Sequence, residues 1–266
     1  MNTPCNDQDP PSRHSSTDIL VKFVTLNHKE NIEKHKEGWR GRPIPIEKLV
    51  SWYGEDQNLR RPLTLTDDNA GVAKLANNVF RKIQVYMGDR DIKDLNVPIQ
   101  LEIVWKGYDT ETFRDEIYLL LCKQTNRGGD LKTLSEKGLE SLRLGWELMA
   151  TCLSFFAPSS CFETWLEQYI QLHAERKDVV FRLKGEFKMK TNLAKYAKTS
   201  LSRLKHIVTK STANLDNKPT EEAITKSREQ ILWPSQVCSW LLSASVSGSL
   251  STVILVIFKS TLCLYL

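Results

Sequence analysis

Residues 113–126 read FRDEIYLLLCKQTN. A charged triplet, Arg114, Asp115 and Glu116, runs straight into Ile117, Leu119, Leu120, Leu121 and Cys122, and apolar residues on successive positions describe a helix buried on nearly every side. The triplet admits two readings. Two carboxylates beside a guanidinium are material for an active site, whereas acidic groups in the first turn of a helix complement its dipole and leave Arg114 to pair with a neighbouring carboxylate.

Outward from this stretch, the apolar positions from Ile19 to His173 fall mostly at helical spacing. Val72, Leu75, Ala76, Val79, Phe80, Ile83 and Met87 step by three and four along one face, with Thr66 or Asp67 to cap the helix and Gly88 to end it. A second pattern runs from Leu139 through Trp146 to Phe156 and stops at Pro158; a third, Phe162 to Ile170, follows Ser159 and Ser160 as caps. VPIQLEIVWKG at 97–107 is β-branched enough to pass for a strand, but its helical neighbours favour a helix. The pattern as a whole predicts an all-α, compact helical bundle with short Gly, Pro and Ser turns.

The 266 residues, 41% apolar and including seven Trp, suffice for a sizeable core. The six cysteines, at 5, 122, 152, 161, 238 and 263, form no CxxC pair, so neither a zinc site nor a disulfide framework is expected and a reducing, cytoplasmic setting fits. The first 18 residues have no apolar run, which excludes a signal peptide there and predicts disorder. No GxxxxGK, GxSxG or HExxH occurs, and the five His have no metal-ligand spacing; His28 and His35, set among Lys and Glu, read as solvated surface. No cofactor, metal or catalytic residue is expected.

The order of the pieces resembles a myosin tail homology 4 (MyTH4) domain. The resemblance rests on NIEKHKEGWRGRPIPIEKLVSWYGEDQNLRRPLTLTDD, then VFRKIQVYMGDR, then FRDEIYLLLCKQTN followed by GWELMATCLSFFAPSSCFETWLEQYI, in that order and spacing. It implies that Arg114, Asp115 and Glu116 open a central helix as a structural motif, together with Trp146 and Glu147 further on. LAKYAKTSLSRLKHIVTKS and KPTEEAITKSREQILWPSQ resemble in turn the connector of Vilse (CrossGAP) type Rho GTPase-activating proteins, where a helical module precedes a catalytic GAP domain. The resemblance breaks off after about Gln236, so no arginine finger is expected in these residues and no GTPase-activating activity from them. A Rho-family GTPase is implied as a partner only where a GAP domain is present in a full-length form.

Charge is distributed unevenly. From Arg176 to Lys210 eleven Lys or Arg face only Asp178 and Glu186, a local balance of +9 in a chain of +5. Leu193, Tyr196, Ala197, Leu201, Leu204 and Ile207 mark the buried side of an amphipathic helix. Lys184, Lys188, Lys190, Lys195, Lys198, Arg203 and Lys205 are therefore read as one basic patch, either a plain solvated face or a dock for an acidic protein surface. The resemblance implies microtubules, whose acidic tails suit such a patch. Nucleic acid is not expected, because no stacking aromatics are interleaved with these cations. From Ile231 to Phe258 no residue is charged, a length that spans a bilayer as a helix, although Ser, Thr and Gly interrupt all but VILVIF. The expected organisation is a disordered 1–18, a helical domain at 19–175, a basic helical connector at 176–230 and a divergent apolar tail at 231–266, irregular or helical, with membrane contact through that tail as one outcome.

Overall fold

The structure, a computed structural model, describes residues 15–37, 39–55, 57–65, 70–91, 98–128, 131–176, 180–182, 190–210 and 218–232. Among them stand ten α-helices: α1 (Ser16–Asn27), α2 (Lys29–Glu33), α3 (Ile46–Leu49), α4 (Ala70–Tyr86), α5 (Ile99–Asp109), α6 (Arg114–Thr125), α7 (Glu136–Cys152), α8 (Ser160–Ala174), α9 (Leu193–Lys210) and α10 (Glu221–Leu232). Two short antiparallel hairpins interrupt the helices, β1 (Lys36–Glu37) with β2 (Arg42–Pro43) and β3 (Val180–Arg182) with β4 (Lys190–Asn192). The bundle is thus all-α in its packing, and residues 97–107 take the helical reading.

Helix α6 is the axle. Every residue from Glu116 to Thr125 is buried, and α4, α5, α7 and α8 all pack around it. The polar end of FRDEIYLLLCKQTN is satisfied by the chain between Val50 and Gly54. Gln124 Oε1 accepts from Tyr53 N at 3.0 Å, Asn126 Nδ2 donates to the Val50 carbonyl at 3.1 Å, and the Asn126 carbonyl accepts from Trp52 N at 3.1 Å. Lys123 is fully buried, donates to the Ser51 carbonyl and lies 3.1 Å above the centroid of the Tyr53 ring. Burial pushes its ammonium well below the usual lysine range.

Helix ends follow local chemistry. Ser159 begins α8, its Oγ accepting from Phe162 N at 3.3 Å, and Gly88 closes α4 with φ of +72°, a conformation that favours glycine. Thr66 and Asp67, the expected caps of α4, lie outside the described residues. Helix α7 ends at Cys152, four residues before the apolar spacing does, because Leu153–Phe156 continue the core through a turn.

Three expectations are corrected. Disorder does not reach Asp18: Ser15 and Asp18 form a capping box at the start of α1, and Phe23 packs on Phe162 with ring centroids 4.3 Å apart. Neither His28 nor His35 is solvated. His35 is buried and its Nε2 donates to the Pro62 carbonyl at 3.1 Å, while His28 packs edge-on against Phe23 and burial lowers its pKa to about 4. Finally, the domain does not close at residue 175, because α9 packs along both α7 and α8 and α10 packs on α7. Charge composition marked a boundary at 176 that the apolar face of α9 erases.

Among the described residues no helix is long and apolar enough to cross a membrane. The apolar tail from Trp233 onward lies outside them.

Candidate functional site

Helix α9 buries Leu193, Ala194, Tyr196, Ala197, Leu204 and Ile207 and thereby has one face fixed against α7 and α8. Lys195, Lys198 and Lys205 emerge on the opposite side, exposed, at spacings of three and seven that keep them on one stripe. Lys205 Nζ lies 3.2 Å from Glu167 Oε1 of α8, a half-exposed pair. Lys184 and Lys188 lie outside the described residues; Lys190 belongs to β4, directly before α9.

Arg203 departs from the expected patch. Its guanidinium turns inward, donating to the Ala150 carbonyl at 2.7 Å, to Ser227 Oγ at 2.9 Å and to the Ser227 carbonyl at 2.7 Å. Ala150 belongs to the last turn of α7, whose carbonyls lack intrahelical partners, so Arg203 closes that helix end and ties α10 to it. Burial brings its pKa down to about 10. Helical spacing alone placed it with the solvent-facing cations; the arrival of α10 at its side turns it into a cross-brace.

The charged triplet is hydrogen-bonded to other parts of the chain. Arg114 Nε donates to the Gly107 carbonyl at 3.0 Å, and Nη1 lies 3.7 Å from Glu111. Asp115 accepts from Ser159 N at 2.8 Å and from Ser159 Oγ at 2.5 Å, so it steadies the residue that caps α8. Glu116, with no exposed surface, accepts from Leu63 N, Thr64 N and Thr64 Oγ1. Burial raises the pKa of both carboxyls against these hydrogen bonds. All the polar groups of the triplet named above are engaged with protein.

Trp146 and Glu147 stand side by side on α7 with separate duties. Trp146 stacks on Tyr169, centroids 6.0 Å apart, and meets His173 at 5.0 Å. Burial, assisted by Arg176, lowers the His173 pKa to about 3. Glu147 is the centre of a buried cluster: Arg143 Nη1 donates to it at 2.6 Å, Arg228 Nε at 2.7 Å and Tyr86 OH at 2.6 Å. Burial would raise its pKa, but the two guanidinium groups outweigh that cost and hold it below the ordinary range. Arg143 and Arg228 were not singled out in the sequence; the one available signal was the i, i+4 spacing of Arg143 and Glu147. Among the described residues, no group of His, Cys, Asp and Glu could hold a metal ion.

These features define an all-helical module whose buried charged groups are hydrogen-bonded and ion-paired with one another and with the backbone. Residues 100–226, just under half of the chain, match the MyTH4 domain family model. The C-terminal MyTH4-FERM domain of human Myosin 7b, solved in complex with the harmonin-a PDZ3 domain, superposes with a TM-score of 0.51 at 19% identity over 71% of this chain and 33% of that one. The MF1 MyTH4-FERM domain of Dictyostelium discoideum Myosin VII gives 0.55 at 17% identity, covering 83% and 40%. At such identities the likeness is one of fold. In sequence, the chain is 28% identical over 117 residues to the high molecular weight form of myosin-1 of Acanthamoeba castellanii, which is 44% of this chain and 7% of that protein. It is 32% identical over 96 residues to human unconventional myosin-XV, 36% of this chain and 2% of the relative. The chain thus spans less than a tenth of these relatives' length.

Proposed function

We propose that the chain is a non-catalytic, cytoskeleton-associated interaction module that docks an acidic protein surface, that of microtubules, on the basic side of α9. The observation that carries this reading is the stripe of Lys195, Lys198 and Lys205 on a helix whose other face is locked into the core. A rigid row of cations meets an acidic partner with no ordering of the helix left to do. Likeness to myosin tails supports a cytoskeletal setting, and the inward duties of Arg114, Asp115 and Glu116 support the absence of catalysis by the triplet.

The test is co-sedimentation of the full chain with microtubules across a salt series. Exposed charges are screened over about 8 Å at physiological ionic strength, so binding should weaken steadily as salt rises. Changing Lys184, Lys188, Lys190, Lys195 and Lys198 together to Glu turns the local balance from +9 to −1 and should abolish pelleting while leaving thermal unfolding intact. Pelleting at the wild-type level by that variant would overturn the reading.

The resemblance of residues 193–211 and 218–236 to the connector of Vilse-type proteins supports a second reading, in which this module stands ahead of a Rho GTPase-activating domain in a longer form. Purified as these 266 residues, it should leave GTP hydrolysis by Rho and Rac at the intrinsic rate. Acceleration of either would place catalysis within the chain and end the non-catalytic reading.

A further inference from the structure

Trp39 is 91% exposed, while the other described tryptophans, Trp52, Trp105, Trp146 and Trp165, are all at least partly covered. It stands in the turn of the β1/β2 hairpin, which Gly41 closes with φ of +62°. The hairpin has a firm base: Ile44 N donates to the His35 carbonyl at 3.0 Å, and the buried His35 ring is held by Pro62. Above that base stands an indole that the fold itself leaves uncovered.

Its surroundings are cationic. Lys34, Lys36, Arg40 and Arg42 are all exposed, and the Arg40 guanidinium lies 5.5 Å from the Trp39 ring centroid. The nearby carboxylates are already engaged, Glu37 with Lys48 at 2.7 Å and Glu33 with Lys29 at 3.9 Å. We propose that this hairpin is a membrane-contact tip, which sets the Trp39 indole into the headgroup layer of an anionic lipid surface while the four cations face lipid phosphates. An indole, apolar in body with one N–H donor, suits the boundary between acyl chains and headgroups. Basic side chains add attraction to an anionic leaflet. A protein partner would call for a different surface, since a Trp that anchors a protein interface is ringed by packed, water-excluding neighbours, whereas Trp39 is 91% exposed beside the Arg40 guanidinium in a basic stretch of chain. A fluid headgroup layer asks for no such rim. The inference uses none of the α9 lysines, so it stands or falls apart from the docking reading above.

The test reads the indole itself. Full chain and its Trp39→Phe variant are mixed with vesicles of phosphatidylcholine alone or with phosphatidylserine, carrying brominated acyl chains, and the variant's emission is subtracted from that of the parent. The difference emission, which belongs to Trp39, should shift to the blue and be quenched on the anionic vesicles only. Arg40→Glu with Arg42→Glu should weaken that partition by at least about fivefold per cation removed. A difference emission that neither shifts nor quenches overturns the proposal, whatever the apolar tail does. So does quenching that is unchanged in the double variant, or a shift produced by acidic tubulin-tail peptide and not by vesicles, which would assign the tip to a protein partner.

Discussion

The Glu116 carboxylate, on the central helix, receives the backbone N–H of Thr64 at 2.7 Å, across 52 residues of chain. With Leu63 N at 3.0 Å and Thr64 Oγ1 at 2.7 Å, it binds the turn after Arg60-Arg61-Pro62 to the first turn of α6. Two stretches that look independent in the sequence are halves of one clasp.

Removing the acceptor should therefore cost more than removing the charge. Glu116→Ala takes the acceptor from three donors, and each buried group left orphaned costs on the order of 1–3 kcal/mol; Glu116→Gln keeps one acceptor oxygen and relieves the buried charge. Urea unfolding should rank Ala well below Gln. Equal midpoints would show that the clasp contributes little.

Arg203 and Lys198 provide a matched pair on one helix. Arg203→Ala removes the charged donor from the Ala150 carbonyl and from Ser227, leaving them the Ser154 hydroxyl, and should destabilise by about 2 kcal/mol, in the range for hydrogen bonds to charged groups. Lys198→Glu should stay within about 0.5 kcal/mol, as surface changes do, yet weaken microtubule pelleting. Thermal melts of the two variants settle the contrast.

Close packing at Gly107 makes a different demand. A Cβ added there would stand 2.6 Å from Cε1 of the buried Phe156 ring, so Gly107→Ala should destabilise by about 1–3 kcal/mol through overpacking, even though Ala favours a helix by about 1 kcal/mol. At Gly145 an added Cβ would stand 2.7 Å from the flexible end of Met87 and also 2.8 Å from Cγ2 of the buried Thr125, so Ala should be costly there as well. A melt in which Gly107→Ala gains stability would mean that Phe156 moves aside.

Acid should weaken the fold from pH 6.5 downward. His28 and His173 titrate at about 4 and about 3 when folded, against 6.5 for the free group, so between those values the unfolded chain holds protons that the folded one refuses. Stability from this source is complete above pH 6.5 and is lost as pH falls, at up to about 1.4 kcal/mol per unit for each His. Asp115 and Glu116, with raised values, act in the opposite sense as pH falls toward the ordinary carboxylate range, so the comparison with a histidine variant isolates the histidine contribution. His173→Phe should flatten the decline, and an unchanged slope would mean that His173 is charged in the folded protein.

Periodicity carried much of the architecture. The apolar steps of α4, α7, α8 and α9 were legible because each helix shows the core one stripe, and Ser159 and Gly88 announced their helix ends. What could not be read was which polar residue would meet which. Arg203 and Lys198 look alike in sequence, and only the arrival of α10 separates them. His35 sits among Lys and Glu and is nonetheless buried, since Pro62 reaches it from 27 residues away. Arg143, Arg228 and Tyr86 converge on Glu147 from three helices, a meeting that local pattern does not encode. For Trp39 the expectation for tryptophan runs the other way, toward burial.

Helix α9 fills the trough between α7 and α8, where Leu193 and Ala194 close over Leu142, Trp146 and His173. Chains leave the ribosome N-terminus first, so the long helices from α4 to α8 emerge while the wall they build still faces water. Closure waits for residues that follow the basic hairpin, and the last brace, Arg228 on Glu147, arrives later still. A nascent chain interrupted before Lys210 would present an uncovered aromatic wall to any passing chaperone or protease. Premature termination in this stretch should be felt as loss of the protein rather than as a shorter working module.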